Sequence, residues 1–426
     1  MKDTIEIAGR AAGPAWARQW MLPAAVAAGS LVITFLFVWL FPASLNLPAG
    51  ADYSLYYEPC ARSLLAGNGY RMPDGAPCLL YPPGYSFVLA GVFGLSPLLG
   101  ISEPGLIVAC NALFLAAGAV ALFAFARRTF GPARASAATL VFVTYPFLLY
   151  LVRLPSSEIV FTVPFYVALI LFGRLTLEGS RSRGWYVAVG LLLGLATLVR
   201  PIALGTGLLA AALLLAAGRS PSVRTRAGLA AALVAGNVIA VLPWQVWVHT
   251  NTGKVVLLST NGPPSAMQGF TFALDSRSAP LPVSPDVKTV MLNLRAHRRE
   301  IRTMGDVAAL LGTELRRDPA AVVKLVGLKA VRAWYASDSR RLETLTALVQ
   351  VLYLLGAAFC TVVAFRRGGA ARQVVVAVWI FAAYFWCMAL IVLPLLRYMV
   401  PAMGLLFLTV AAALPDRRAA RLSRSG

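Results

Sequence analysis

The chain has 426 residues, of which 59% are hydrophobic and only 13% charged, with a formal net charge of +21. Its apolar residues fall in unbroken runs near bilayer length instead of alternating with polar positions, which excludes a soluble multi-domain protein and predicts an all-α polytopic membrane protein. The 38 Lys and Arg residues stand largely in short clusters between those runs, so the charge is a topology signal and does not call for nucleic acid as a partner.

In chain order the apolar runs are 21–41, 84–99, 105–126, 135–152, 158–173, 185–199, 201–218, 227–248, 344–365, 373–396 and 398–414. The first follows Lys2, Arg10 and Arg18. It is longer than the roughly 7 to 15 residues of a signal-peptide core, so it reads as an uncleaved first span, with Pro42-Ala43-Ser44 as the site if cleavage occurs. The run 84–99 carries Gly84, Gly91, Gly94, Ser96 and Pro97, residues that weaken a lipid-exposed helix.

If 84–99 lies along the outer membrane surface, about ten spans remain and the basic clusters sort to the inner side. These are Lys2, Arg10 and Arg18; Arg127, Arg128 and Arg134; Arg174, Arg181 and Arg183; Arg219, Arg224 and Arg226; Arg366, Arg367 and Arg372; and Arg417, Arg418, Arg421 and Arg424. The short outer segments keep only Arg62, Arg71, Arg153, Arg200 and Arg397. The positive-inside rule therefore predicts both termini in the cytoplasm.

The predicted division is a membrane module over 1–248 with a first outer loop at 43–104, a long outer loop over 249–343, and C-terminal spans with a basic tail over 344–426. Within the long loop, "DPAAVVKLVGLKAVRAWYASDSRR" has helical apolar spacing with Lys324, Lys329 and Arg332 between. It reads as an interfacial helix leading into the next span, or as a helix packed inside a small outer domain.

Ionisable residues are nearly absent from the middle of the spans, so function is expected at a membrane face. The outer face collects Asp52, Glu58, Arg153, Glu158, Arg200 and Arg397 from separated segments. The runs 158–173 and 185–199 are shorter than the roughly 20 residues a crossing helix needs, which predicts that Glu158 and Arg200 sit recessed in a cavity. A carboxylate that takes a proton from an acceptor hydroxyl, with arginines that hold a phosphate leaving group, are the parts of glycosyl transfer from a lipid-phosphate sugar. Each residue also has a local alternative. Arg200 and Arg397 can snorkel to headgroups. Asp52 can cap a helix near Tyr53, and Glu158 can sit at a helix N-terminus for its dipole. Glu58, four residues before Arg62, can pair with it. His249 and His297 stand alone, so no metal site is predicted, and a divalent cation held by Asp52 and Glu158 is the only cofactor left open.

Several short stretches, in order along the chain, resemble the GT-C fold membrane glycosyltransferases that use polyprenyl-phosphate sugars. Among these the similarity is to bacterial relatives of protein mannosyltransferases and of aminoarabinose transferases. The stretches are "DYSLYYEPCARSLLAGNGY", "YPPGYSFVLA", "SSE", "LATLVRP", "LPWQVWVHTNTGKVVLLSTNG" and "LRYMVPA".

The resemblance implies a seven-span module with two juxtamembrane helices in the first outer loop and a longer outer loop after the seventh span. It implies Asp52 as the base of an inverting transfer, Glu158 as a second acidic residue that orients substrate, and Arg200 and Arg397 as donor-phosphate ligands. Arg153, Tyr56, Glu58, Tyr81 and Tyr398 are further substrate-binding candidates beside these motifs.

The implied partners are a polyprenyl-phosphate sugar, a lipid or glycan acceptor and membrane lipids, and the implied location is the outer face of a bacterial inner membrane. The chain departs from both relatives. Tyr53 follows the aspartate where protein mannosyltransferases have a glutamate, and Tyr81 precedes the Pro-Pro where they have histidine and the aminoarabinose transferases lysine. Trp247-Val248 replaces an Arg-Asn that often follows the Pro-Trp. A flippase of lipid-linked sugars is the alternative function, disfavoured by the lack of internal repeats and of mid-span charges, and an inactive scaffold on the same fold is a third.

Cys110, Cys360 and Cys387 lie in apolar runs and read as small buried hydrophobes. Cys60 and Cys78 both fall on the oxidising side of the membrane, and a disulfide tying together the two helices of the first outer loop is predicted.

Overall fold

The computed structural model describes residues 15–42, 45, 50–216, 222–274, 281–337, 340 and 342–415. Lys2, Arg10, Ala43, Ser44, Arg219 and the arginines from Arg417 to Arg424 lie outside the described residues. Among those described, the regular structure is helical, and an isolated bridge between Arg71 and Pro77 closes a turn. Helices suit lipid because every backbone donor and acceptor finds its partner within the segment.

The chain opens with α1 (Ala15–Leu40), then a five-residue π-helical turn (Tyr53–Tyr57) that runs into α2 (Glu58–Leu65), and α3 (Gly84–Leu99). Helix α4 (Glu103–Phe130) starts where the Ser102 hydroxyl accepts from the Gly105 amide, and stops at Gly131, whose φ of 91° favours glycine. Helices α5 (Pro132–Val143) and α6 (Pro146–Val152) form one apolar stretch bent by 57°. Pro146 lacks an N–H and disfavours helical geometry at the residue before it, which accounts for the break.

Next come α7 (Ser157–Leu177), α8 (Arg183–Val199), α9 (Thr206–Ala216) and α10 (Val223–Thr252). The long loop holds α11 (Gly262–Phe270), α12 (Pro285–Ala296), α13 (Met304–Arg317) and α14 (Pro319–Arg332). The chain then returns through α15 (Glu343–Arg367), α16 (Gly369–Ile391), α17 (Leu396–Leu406) and α18 (Leu408–Ala413).

Among the described residues, seven helical segments are long and apolar enough to cross a membrane, and the bent α5–α6 pair makes eight. This is a multi-pass membrane protein. Two of the ten expected spans, α8 and the stretch Pro201–Ala216, are shorter apolar helices, as is α3. At 17 residues α8 is only about 25 Å long, short of the roughly 30 Å hydrocarbon layer.

Helices α8 and α10 pack at backbone contact. A Cβ on Gly190 would fall 1.9 Å from the Leu233 carbonyl oxygen, and one on Gly236 would fall 2.2 Å from that of Val187. Small residues allow such an approach where lipid supplies no hydrophobic drive.

The main core joins early and late helices. Tyr145, beside the α5–α6 break, donates to Gln350 Oε1 of α15 at 2.7 Å, and Tyr166 of α7 donates to the Pro401 carbonyl of α17 at 2.8 Å. Phe161 and Phe165 of α7 meet Phe385 of α16. These ties hold α15, α16 and α17 against α5–α7.

The long-loop helices have their own core, which includes Met267, Phe270, Val287, Met291, Leu294 and Leu325. Helix α14 buries Ala321, Val322 and Leu325 there, so much of the apolar face expected to meet lipid meets protein, while Val323, Val326 and Val331 remain exposed. The side chain of Asp318 fixes its start by accepting from the Ala321 amide.

Candidate active site

The π-helical turn begins immediately after Asp52, and such turns recur at functional sites. Asp52 itself has helical φ and ψ and makes no capping bond with its side chain. Its carboxylate is turned to tertiary partners instead. Oδ1 accepts from the Tyr81 hydroxyl at 2.9 Å, and Oδ2 accepts from Arg397 Nη2 at 3.1 Å.

Glu158 lies in the first turn of α7 and is buried. Its Oε1 is 2.7 Å from Arg200 Nη1 and 3.8 Å from Arg397 Nε. Arg200 also donates to Ser157 Oγ at 2.8 Å and is 8% exposed, so it is not an arginine reaching for headgroups. Tyr398 sits by both guanidinium groups, whose central carbons are 5.2 Å (Arg200) and 5.4 Å (Arg397) from its ring centre. Asp52, Arg397, Glu158 and Arg200 thus form one chain of alternating charges.

Local sequence explains why these segments meet. The Pro82-Pro83-Gly84 turn seats on the end of α8, where a Cβ on Gly84 would fall 2.6 Å from the Leu198 carbonyl oxygen, two residues before Arg200. Tyr57 stacks on the Tyr81 ring at 4.7 Å and meets Tyr85 edge-on at 5.0 Å, while Tyr56 meets Tyr81 edge-on at 6.0 Å. Burial and the neighbouring Asp52 carboxylate push the Tyr81 phenol well above its ordinary value, so it stays a proton donor to Asp52.

Asn261 is a residue the sequence reading missed. Its Nδ2 donates to the Tyr81 hydroxyl at 2.9 Å, and the neighbouring Thr260 amide donates to the Leu79 carbonyl at 2.9 Å. The long loop is thereby attached to the first. Asn261 falls near the end of the stretch "LPWQVWVHTNTGKVVLLSTNG" but reads there as turn chemistry before Gly-Pro-Pro, so it does not stand out as a site residue.

Two candidates are placed elsewhere. Glu58 pairs with Arg62 at 2.7 Å, as its four-residue spacing allows, and Arg62 also reaches Glu103 at 2.8 Å; this is a surface network on α2 and α4. Arg153, just after α6, lies over the Phe41 ring at 3.9 Å.

Cys60 and Cys78 are joined as a disulfide with Cα atoms 6.4 Å apart. It ties α2 to the extended segment before Tyr81, not to α3. Beside it is a cavity of about 170 Å³ lined by Tyr56, Tyr57, Tyr70, Met72, Leu79, Tyr81, Thr260 and the two cysteines among others, with no charged side chain in its wall.

Arginines occupy both carboxylates, and the described residues contain no group of three His, Cys, Asp or Glu side chains able to hold a metal ion.

Comparison with known proteins adds three findings. Residues 81–247 match the family model described as dolichyl-phosphate-mannose-protein mannosyltransferase. The match includes Tyr81, Glu158 and Arg200 and leaves out Asp52 and Arg397. No curated protein sequence matches the chain significantly.

Among solved structures, the archaeal oligosaccharyltransferase AglB from Archaeoglobus fulgidus, in complex with an inhibitory peptide and a dolichol-phosphate, is similar with a TM-score of 0.52. The identity is 13%, over 93% of this chain and 50% of that one. A second structure of the Archaeoglobus fulgidus enzyme, with Zn and sulfate, gives 0.50 at 14% identity, over 92% and 48%. ArnT from Cupriavidus metallidurans, bound to undecaprenyl phosphate, gives 0.42 at 17% identity, over 92% of this chain and 76% of that one. The chain spans about half the length of the archaeal enzyme. The fold is GT-C, and with the family match it supports a glycosyltransferase.

Proposed function

We propose that this GT-C membrane protein is an inverting glycosyltransferase that moves a sugar from a polyprenyl-phosphate donor to a hydroxyl of an envelope glycolipid or glycan. In this reading the site faces outward from a bacterial inner membrane and both termini are cytoplasmic. The observation that carries the proposal is the carboxylate of Asp52, solvent-accessible yet held by Tyr81 and by an arginine that also approaches a second, buried carboxylate.

Asp52 takes the proton of the acceptor hydroxyl. The acceptor oxygen bonds to the anomeric carbon from the side opposite the phosphate, the bond from that carbon to the phosphate oxygen breaks, and the phosphate leaves with the electron pair. Arg200 and Arg397 offset the charge that grows on the leaving group. Because Arg397 is bound to Asp52 before substrate arrives, the donor phosphate competes for it, and donor binding frees the base for the acceptor.

The cavity beside Tyr81 would hold one sugar ring. An uncharged, tyrosine-rich wall suits a neutral sugar, in keeping with the absence of a lysine or histidine before the Pro-Pro.

The test is a glycolipid profile of cells lacking the gene, complemented with wild type or with Asp52→Asn. One glycolipid species should disappear and return only with wild type. Full complementation by Asp52→Ala would remove the assignment. Purified protein that moves an unmodified lipid-linked sugar between leaflets without releasing polyprenyl phosphate would make it a flippase.

A further inference from the structure

We infer that Lys329, in the long outer loop, is a positioning residue that clamps α11 to the segment between α16 and α17, so that Tyr81 and Arg397 reach the two oxygens of Asp52 together. This rests on the glycosyltransferase reading for its link to activity, and on geometry alone for the clamp.

Lys329 is fully buried on α14. Its Nζ donates to the Val392 carbonyl at 3.0 Å and lies 3.4 Å from the Phe270 ring centre. Val392 is the residue at which α16 ends, where carbonyls lack helical partners, and α17 begins four residues later, with Arg397 as its second residue. On the other side, Phe270 and Gly269 close α11, whose first turn follows Asn261, the partner of Tyr81. A Cβ on Gly269 would fall 1.7 Å from the Val392 carbonyl oxygen and 3.1 Å from Nζ. The lysine, the glycine and the carbonyl therefore meet at one point.

Neighbouring bonds bracket that point. The Leu396 amide donates to the Ala336 carbonyl at 2.9 Å, and Trp386 Nε1 donates to the Ala330 carbonyl at 2.9 Å. From this point one path runs along α11 to Asn261, Tyr81 and Asp52 Oδ1, and the other runs through Leu396 to Arg397 and Asp52 Oδ2.

A lysine is an expensive way to fill space. Burying an amine without a carboxylate is unfavourable, and desolvation drives this one well below the ordinary lysine value. A methionine of similar length would pack there without that penalty, but it would leave the Val392 carbonyl without its donor. The residue is thus explained by the bond it makes.

The experiment compares full-length wild type, Lys329→Met, Lys329→Gln and Gly269→Ala by hydrogen exchange and by transfer kinetics. In Lys329→Met, amides of 262–270 and 393–397 should exchange at least about fivefold faster, with α12 and α13 unchanged. In the same variant kcat should fall about tenfold and the KM for donor should rise, because Arg397 also meets the donor phosphate and misplacement of about 1 Å costs up to about 10²-fold in rate. Lys329→Gln, which keeps an N–H donor, should recover part of both. Gly269→Ala should loosen the same two segments with the lysine in place, and it carries the test if Lys329→Met does not accumulate.

Unchanged exchange at 393–397 would overturn the inference, and so would faster exchange spread evenly over α11–α14. If wild type shows no transfer at all, the glycosyltransferase reading fails while the exchange comparison still decides the clamp.

Discussion

The rim and the floor of the charged cluster contain the same chemistry, one carboxylate against one arginine, in opposite surroundings. At the rim, Asp52 and Arg397 have side chains 40% and 24% exposed and touch through a 3.1 Å bond. At the floor, Glu158 and Arg200 are 4% and 10% exposed and 2.7 Å apart. Exposed ion pairs are weak and open readily, whereas a buried pair that loses one partner strands a charge in a poorly polar medium. On the proposed function, the difference makes the rim the place where groups exchange partners with substrate, while the buried pair at the floor ties the start of α7 to the end of α8 and holds Arg200 in place toward the leaving phosphate.

That contrast is open to direct attack. The largest effect is expected for Asp52→Asn, which removes the base while keeping the shape. Transfer should fall by about 10²- to 10⁴-fold with no change in the thermal unfolding of detergent-purified protein. If activity survives, the rim is not the reaction centre. Glu158→Gln should do the reverse in kind, destabilising the protein by about 3 kcal/mol through an unpaired Arg200, read as a lower melting temperature before any activity is measured. A stable Glu158→Gln protein would erase the distinction between floor and rim.

A smaller loss, about tenfold in kcat, is expected for Tyr81→Phe, since one donor to Asp52 and the acceptor for Asn261 disappear together. The smallest effect concerns pH. A phenol whose value is raised stays protonated throughout the range in which an ordinary tyrosine does, so Tyr81 should not set the alkaline limb of activity. The limb should then fall at the same pH in wild type and Tyr81→Phe, and a shift of the limb between them would show that Tyr81 titrates in that range.

Much of the fold was legible because lipid allows so few solutions. Runs of apolar residues near bilayer length must be helices, and the glycines and Pro97 of 84–99 distinguished α3 from the long spans. The rim and floor residues were legible as candidates because ionisable groups are rare in such a chain. The pairing was not legible. Nothing local says that Arg397 joins Asp52 across 345 positions while Glu58 turns to Arg62 four residues away. Asn261 and Lys329 escaped for related reasons, since one resembles turn chemistry and the other the polar side of an amphipathic helix.

By itself, then, the sequence determined that this is a helical membrane protein with its ionisable groups gathered at one predicted face, and which short motifs carry them. Hydrophobicity and local backbone preference act over a few turns of chain and are written in order along it. Only the tertiary structure decided which carboxylate is buried, which arginine is shared, and how the long loop reaches Tyr81. Burial and pairing depend on packing between segments far apart in sequence, such as Gly84 against the end of α8 and Tyr166 against Pro401, and no local pattern encodes those distances.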